Sequence, residues 1–148
     1  FFMRLASDGL MVIDVQKAFC AIVALAARAG DAGIGPIIAM LPNVPGRILT
    51  QDWHPIAHSS FASSYDGKSP YDLIDMPYGS QILWPDHCIQ STYGSAFHKG
   101  LETDAADMII RKGFRPHIDS YSAFFENDKT TSTGLEGYLH TRGLDTIT

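Results

Sequence analysis

Three short apolar runs, each breaking off into charged or imidazole side chains, constrain this chain most. "GLMVIDVQ" (9–16) is apolar up to Asp14, "RILTQDWHP" (47–55) runs into Asp52 and His54, and "DMIIRKG" (107–113) ends at Lys112. Short apolar runs of this kind suit strands buried on both faces, as in a parallel sheet. A fourth run begins at "DTIT" (145–148). Between the strands, "IGPIIAMLPNVPG" predicts a short helix with Ile37, Ile38 and Leu41 on one face, interrupted by Pro42 and Pro45. "STGLEGYLHTRGLD" predicts an amphipathic helix that presents Leu135, Tyr138 and Leu139, with Thr133 as N-cap and Gly143 as the stop. The Ala-rich "AIVALAARAGDAG" reads equally as helix or loop. Alternating strands and helices imply an α/β fold, a parallel sheet flanked by helices with right-handed crossovers. Ligands in such sheets bind at the carboxyl ends of the strands. Three of those ends deliver Asp14, Asp52 with His54, and Lys112 to one rim.

The chain has 148 residues, 45% apolar and 18% charged, which suits a single globular domain spanning 1–148. A chain that stops inside a strand leaves its sheet unfinished, so the domain is expected to lack its C-terminal part. The net charge of −5, without a basic stripe, argues against a nucleic-acid partner. No apolar run approaches the ~20 residues of a membrane span. The first residues lack the regions of a signal peptide, so the cytoplasm is the expected location and no membrane partner is expected. Cys20 and Cys88 are too few for a disulfide scaffold. Residues 55–86 have no clear period and form a long excursion, which in a compact domain is usually functional.

"QDWHPIAHSSF" (51–61) raises the question of a metal. Asp52 and His54, two apart on an extended stretch, project to the same side and form a natural ligand pair. A third ligand must come from elsewhere. His87 in "LWPDHC" and His58, four residues past His54, are rivals, and spacing alone leaves the choice open.

"MVIDVQKAFC", "QDWHPIAHSSFAS", "LWPDHCIQSTYGSAFH" and "IRKGFRPHIDSYSAFFEN" occur here in order, and in them the chain resembles the nicotinamidases, within the cysteine hydrolase (isochorismatase-like) superfamily. The resemblance runs from about residue 9 to the end. It implies an isochorismatase-like, Rossmann-like three-layer fold and hydrolysis of nicotinamide, or pyrazinamide, to the acid and ammonia through a thioester. By motif, Asp14 and Lys112 match the catalytic aspartate and lysine, and Asp52, His54 and His87 match the metal ligands. Phe19, Trp84 and Tyr121 resemble the aromatic walls around the substrate ring. Ser60 aligns with a position that touches metal-bound water in some members, and His58 is set aside as a first choice. The implied cofactor is a divalent metal, zinc first, with iron or manganese as alternatives. The implied partner is a small molecule, and a homo-oligomer is left open.

Two departures accompany the resemblance. The family has a Pro-Gly-Gly-type turn after its first catalytic segment, where this chain has "AIVALAARAGDAG". The family nucleophile follows the fourth strand, so the reactive cysteine is expected beyond Thr148. Cys20 and Cys88 are read as structural, and residues 1–148 by themselves are expected not to turn over amide. An isochorismatase-type hydrolase is disfavoured by the Asp-x-His pair. A metal-binding scaffold without catalysis is the remaining alternative.

Overall fold

The structure is a computed structural model and describes residues 6–23 and 29–148; residues 24–28 of the Ala-rich segment lie outside it. In chain order the elements are β1 (Asp8–Val12), α1 (Lys17–Val23), α2 (Ala29–Met40), β2 (Gly46–Asp52), β3 (Leu73–Met76), β4 (Gly79–Ile82), β5 (Met108–Lys112), α3 (Leu135–Arg142) and β6 (Thr146–Ile147). Single 3-10 turns lie at Leu41–Asn43, Ala62–Ser64 and Thr103–Ala105. β5, β2, β1 and β6 form one sheet in that order, every pair parallel. The four apolar runs are its four strands, as the pattern predicts.

Successive side chains of β2 enter different cores, because a strand alternates its faces. Leu49 packs with Leu10, Val12, Leu41, Val44 and Leu101, and Ile37 and Met40 of α2 cover that side. Ile48 packs on the other side with Ile110, Leu135, Leu139 and Leu144, where α3 sits. Helices on both faces therefore explain why the strands read as apolar without alternation. Among the described residues, no helix is long and apolar enough to cross a membrane.

Three local expectations are corrected. The second helix is longer than the short one predicted: α2 starts at Ala29 and keeps Pro36 in its interior. Pro36 is exposed, so its ring meets solvent, and the helix continues without that residue's N–H. The N-cap of α3 is Gly134, at φ 95°, rather than Thr133. Thr133 still contributes from one residue earlier, its Oγ1 accepting the Leu135 N–H at 3.3 Å. Gly143 ends the helix in the left-handed region, as read, and its N–H donates to the His140 carbonyl. Within the aperiodic excursion, β3 and β4 form an antiparallel hairpin that the sequence did not signal. Of its eight residues only Gln81 is buried, so no apolar alternation marks it.

Gly9 and Gly46 are direct partners in the β1–β2 register. A Cβ on Gly46 would come within 2.5 Å of Leu144 Cδ1, and one on Gly9 within 2.7 Å of Ile147 Cδ1. The paired glycines thus form a slot that Leu144 fills. Leu144→Ala empties it and is expected to lower the unfolding free energy by about 2–5 kcal/mol, read from a urea titration.

Candidate active site

Register brings the charged strand ends together. Asp52 at the end of β2 is the direct partner of Lys112 at the end of β5, and Asp14 lies two residues past β1 on the other side of β2. Lys112 Nζ, nearly buried, sits 2.7 Å from Asp14 Oδ2 and makes a short ion pair with Asp52 Oδ1. It also reaches the Ser120 carbonyl at 3.4 Å. Burial alone would lower the Lys112 pKa, but the charges of Asp52 and Asp14 outweigh it and hold the ammonium above its ordinary value. Burial works on Asp52 in the opposite sense, and the neighbouring His87 and Lys112 overcome it, so its carboxyl stays below the ordinary range.

Both carboxylates are held by polar side chains on adjoining segments. Thr50 Oγ1 donates to Asp14 Oδ1 at 2.6 Å and accepts the Asp14 backbone N–H at 3.0 Å. Asp14 has φ 49°, a conformation that non-glycine residues rarely adopt, and these contacts oppose its relaxation. The Gln16 side chain is fully buried and pairs with the Asp52 backbone in both directions, donating to its carbonyl and accepting its N–H, each at 2.8 Å.

The excursion is closed by hydrogen bonds between its two ends. His54 N–H donates to the Cys88 carbonyl at 3.0 Å, and Gln90 N–H donates to the His54 carbonyl at 2.8 Å. Further along, Trp84 N–H donates to the Ser60 carbonyl, and Ala62 N–H donates to the Trp84 carbonyl. These contacts carry His87 back to the strand ends, with its Nε2 3.7 Å from Asp52 Oδ2. Phe61, fully buried, packs its ring against those of His54, His58 and His87 at centroid distances of 5.2, 5.7 and 5.4 Å.

Asp52, His54 and His87 each offer one ligand atom, all within 4.8 Å of one another. The proton-sharing pattern favours a cation there. His87 Nδ1 bonds the Pro85 carbonyl at 2.8 Å, an acceptor only, so Nδ1 carries the proton and Nε2 is available as a ligand. Burial would lower the His87 pKa, yet the Asp52 carboxylate and the Pro85 carbonyl raise it. His54 Nε2 lies 3.0 Å from Asp119 Oδ1, while its Nδ1 is buried with no hydrogen-bond partner. An orphaned buried imidazole nitrogen beside a carboxylate and a second imidazole fits a divalent cation.

His58, by contrast, has both nitrogens engaged. Its Nδ1 accepts from the Ser60 backbone N–H at 3.1 Å and bonds Ser60 Oγ at 2.8 Å, and its Nε2 donates to the Arg115 carbonyl at 2.7 Å. Burial, and next the adjacent His54, push its pKa down. Ser60 Oγ is turned to His58, so in this arrangement it supports the imidazole.

A cavity of about 460 Å³ opens beside this cluster, with Asp52, His87, Lys112 and Asp119 among its polar lining. Phe19, Trp84 and Tyr121 all line it, together with Tyr71, which sequence reading did not single out. The Trp84 ring meets the rings of Tyr71 and Tyr121 edge-on at 6.0 and 6.2 Å. Tyr121 Oη accepts from Trp84 Nε1 at 3.1 Å and from Gln81 Nε2 at 2.7 Å. Gln81 Oε1 in turn accepts from Tyr78 Oη and Asn127 Nδ2, each at 3.1 Å, so the aromatic wall hangs from a buried amide. Cys88 is buried, and burial pushes its thiol up to about 12, opposite to what a nucleophile needs. Cys20 lies half-buried on α1 and is not among the residues lining the cavity.

No protein-family model matches the chain. It is 49% identical to the nicotinamidase of Acinetobacter baylyi over 138 residues, which is 93% of this chain and 64% of that enzyme. It is 37% identical to the nicotinamidase of Escherichia coli, over 93% of this chain and 66% of the enzyme. The solved nicotinamidase/pyrazinamidase structure from Acinetobacter baumanii superposes with a TM-score of 0.85 at 44% identity, covering 97% of this chain and 70% of that one. The chain belongs to the nicotinamidase family. It spans somewhat less than two thirds of the length of the A. baylyi and E. coli relatives. The parallel sheet flanked by helices is the fold shared with the solved nicotinamidases.

In this nicotinamidase-family site, the residues that sequence reading missed, Tyr71 apart, are those that act through other residues. Thr50, Gln16 and Asp119 lie far along the chain from the groups they hold, as Gln81 does from Tyr121, and no local spacing marks them. Gly113 follows Lys112 at φ 68°, and a Cβ there would fall 2.6 Å from His54 Nε2. Gly113→Ala is therefore expected to move the His54 ring and to destabilise the fold by at least about 1–3 kcal/mol, read from chemical denaturation together with the His54 imidazole resonances.

Proposed function

We propose that this chain builds the site at which nicotinamide, and also pyrazinamide, is hydrolysed to the acid and ammonia. The observation that carries this reading is the shared ammonium: Lys112 bridges Asp14 and Asp52 beside an aromatic-walled cavity. In this reading one of these carboxylates serves proton transfer and the other a cation. The family membership supports the same reading.

In this proposal the flat pyridine ring lies between Phe19 and Trp84, with Tyr121 as a further wall. Asp14 takes the proton of the attacking thiol and later returns it to the leaving ammonia. Lys112 holds Asp14 in place, and its charge favours the thiolate. Thr50 orients the other Asp14 oxygen, so that proton transfer takes place at the oxygen facing Lys112. The thiolate is assigned to a cysteine following β6 in the protein, not to Cys20 or Cys88. Asp52, His54 and His87 are assigned as ligands of a divalent ion, zinc first and iron or manganese as alternatives, which when bound would supply an electrophilic anchor for the ring nitrogen. A single domain, a small-molecule substrate and a cytoplasmic location belong to the same reading.

Ammonia release from nicotinamide by the full-length protein is the test. Asp14→Asn is expected to lower kcat/KM by about 10²–10⁴-fold. Lys112→Met removes the cation between two carboxylates and is expected to abolish turnover as well as lower stability by about 3–5 kcal/mol. Residues 1–148 alone are expected to release no ammonia. A full-length protein that binds metal and leaves nicotinamide and pyrazinamide intact would instead favour the scaffold reading.

A further inference from the structure

His54 and Asp119 form a buried pair. The side chains are 1% and 4% exposed, and His54 Nε2 and Asp119 Oδ1 are 3.0 Å apart. The same Asp119 oxygen accepts the Ser120 backbone N–H at 2.8 Å, which fixes the carboxylate. Asp119 Oδ1 already serves as an acceptor for Ser120, so in its contact with His54 it accepts again and Nε2 carries the proton. That choice of tautomer leaves the lone pair on Nδ1, the buried nitrogen with no hydrogen-bond partner.

A second grouping of ligand-type atoms, His54, His58 and Asp119, also lies within 4.8 Å. Its hydrogen bonds argue against its serving as a cation cradle. His58 spends both nitrogens on Ser60 and the Arg115 carbonyl, and Asp119 Oδ1 is shared by His54 and Ser120. The grouping is better suited to supporting His54 from behind. Ligand histidines commonly donate their other ring N–H to a carboxylate, which fixes the ring and makes the ligating nitrogen more basic.

We propose that Asp119 is a positioning residue for the metal ligand His54: by accepting the Nε2 proton it selects the tautomer and ring orientation in which Nδ1 binds a divalent cation. This rests on the reading of Asp52, His54 and His87 as the metal ligands. Asp119 acts on the cation through His54 and needs no contact with substrate for this role.

The test is Zn²⁺ affinity of the full-length protein, measured by competition with a chromophoric chelator and without substrate. Asp119→Ala is expected to weaken Zn²⁺ binding by about 10–100-fold. Asp119→Asn keeps an oxygen that can accept from Nε2–H while losing the charge, so its affinity should fall between that of wild type and Asp119→Ala. Circular dichroism of the chelator-treated proteins identifies variants that have lost the fold, and the near-isosteric Asn variant keeps the test decisive if the Ala variant does not fold. Unchanged Zn²⁺ affinity in a folded Asp119→Ala variant overturns the role of Asp119 while leaving the three ligands in place. So does an Asp119→Asn affinity equal to that of wild type in both Zn²⁺ and Co²⁺ titrations, if Asp119→Ala fails to fold. Failure of the wild-type protein to bind Zn²⁺ or Co²⁺ overturns this inference and the metal-ligand reading together.

Discussion

The ammonium of Lys112, shared between carboxylates on two flanking segments, is the interaction on which the rest of the site depends. It exists because β5 pairs with β2 in the register that sets Lys112 opposite Asp52, and because β1 lies on the other side of β2 and ends near Asp14. None of the three charges would be tolerated alone at this depth, since a buried ion without its partner destabilises strongly. Together they couple the two halves of the site. Asp14 is held with one oxygen toward Lys112, and Asp52 keeps its second oxygen toward His87. Displacing one strand by a residue would turn these side chains to the opposite face of the sheet and break the arrangement.

Around this centre, the long excursion acts as a wall whose two ends are fastened to each other. Backbone bonds at His54 and at Ser60 hold residues 84–90 alongside residues 54–62, and Phe61 fills the space among three imidazoles. The excursion therefore contributes to the site from both ends while its middle forms a small hairpin, where Gln81 supports Tyr121 and Trp84. The histidines differ in what remains for them to bind. His58 is saturated by a hydroxyl and a carbonyl, whereas His54 keeps Nδ1 without a hydrogen-bond partner and His87 keeps Nε2 3.7 Å from Asp52 Oδ2.

Much of the framework was legible in the sequence. The apolar runs, their lengths and the charges that stop them are local properties, and burial on both faces of a parallel strand removes alternation in a recognisable way. Asp14, Asp52, His54 and Lys112 could be placed on one rim for that reason. The hairpin escaped because its strands bury almost nothing apolar. The true length of α2 escaped because its first turn lies in the Ala-rich, glycine-containing segment that reads equally as helix or loop.

The sequence by itself determined a parallel α/β sheet with an acid, an acid–imidazole pair and a lysine at neighbouring strand ends, because strand periodicity and its termination depend only on nearby residues. Spacing left His87 and His58 as rivals; the tertiary structure brings His87, over thirty residues from His54, beside Asp52 and leaves His58 no nitrogen to spare. It alone placed Asp119 behind His54 and left room for that ring only because residue 113 is glycine. Those outcomes depend on hydrogen bonds and close contacts between segments far apart in the chain, for which a local pattern carries no signal.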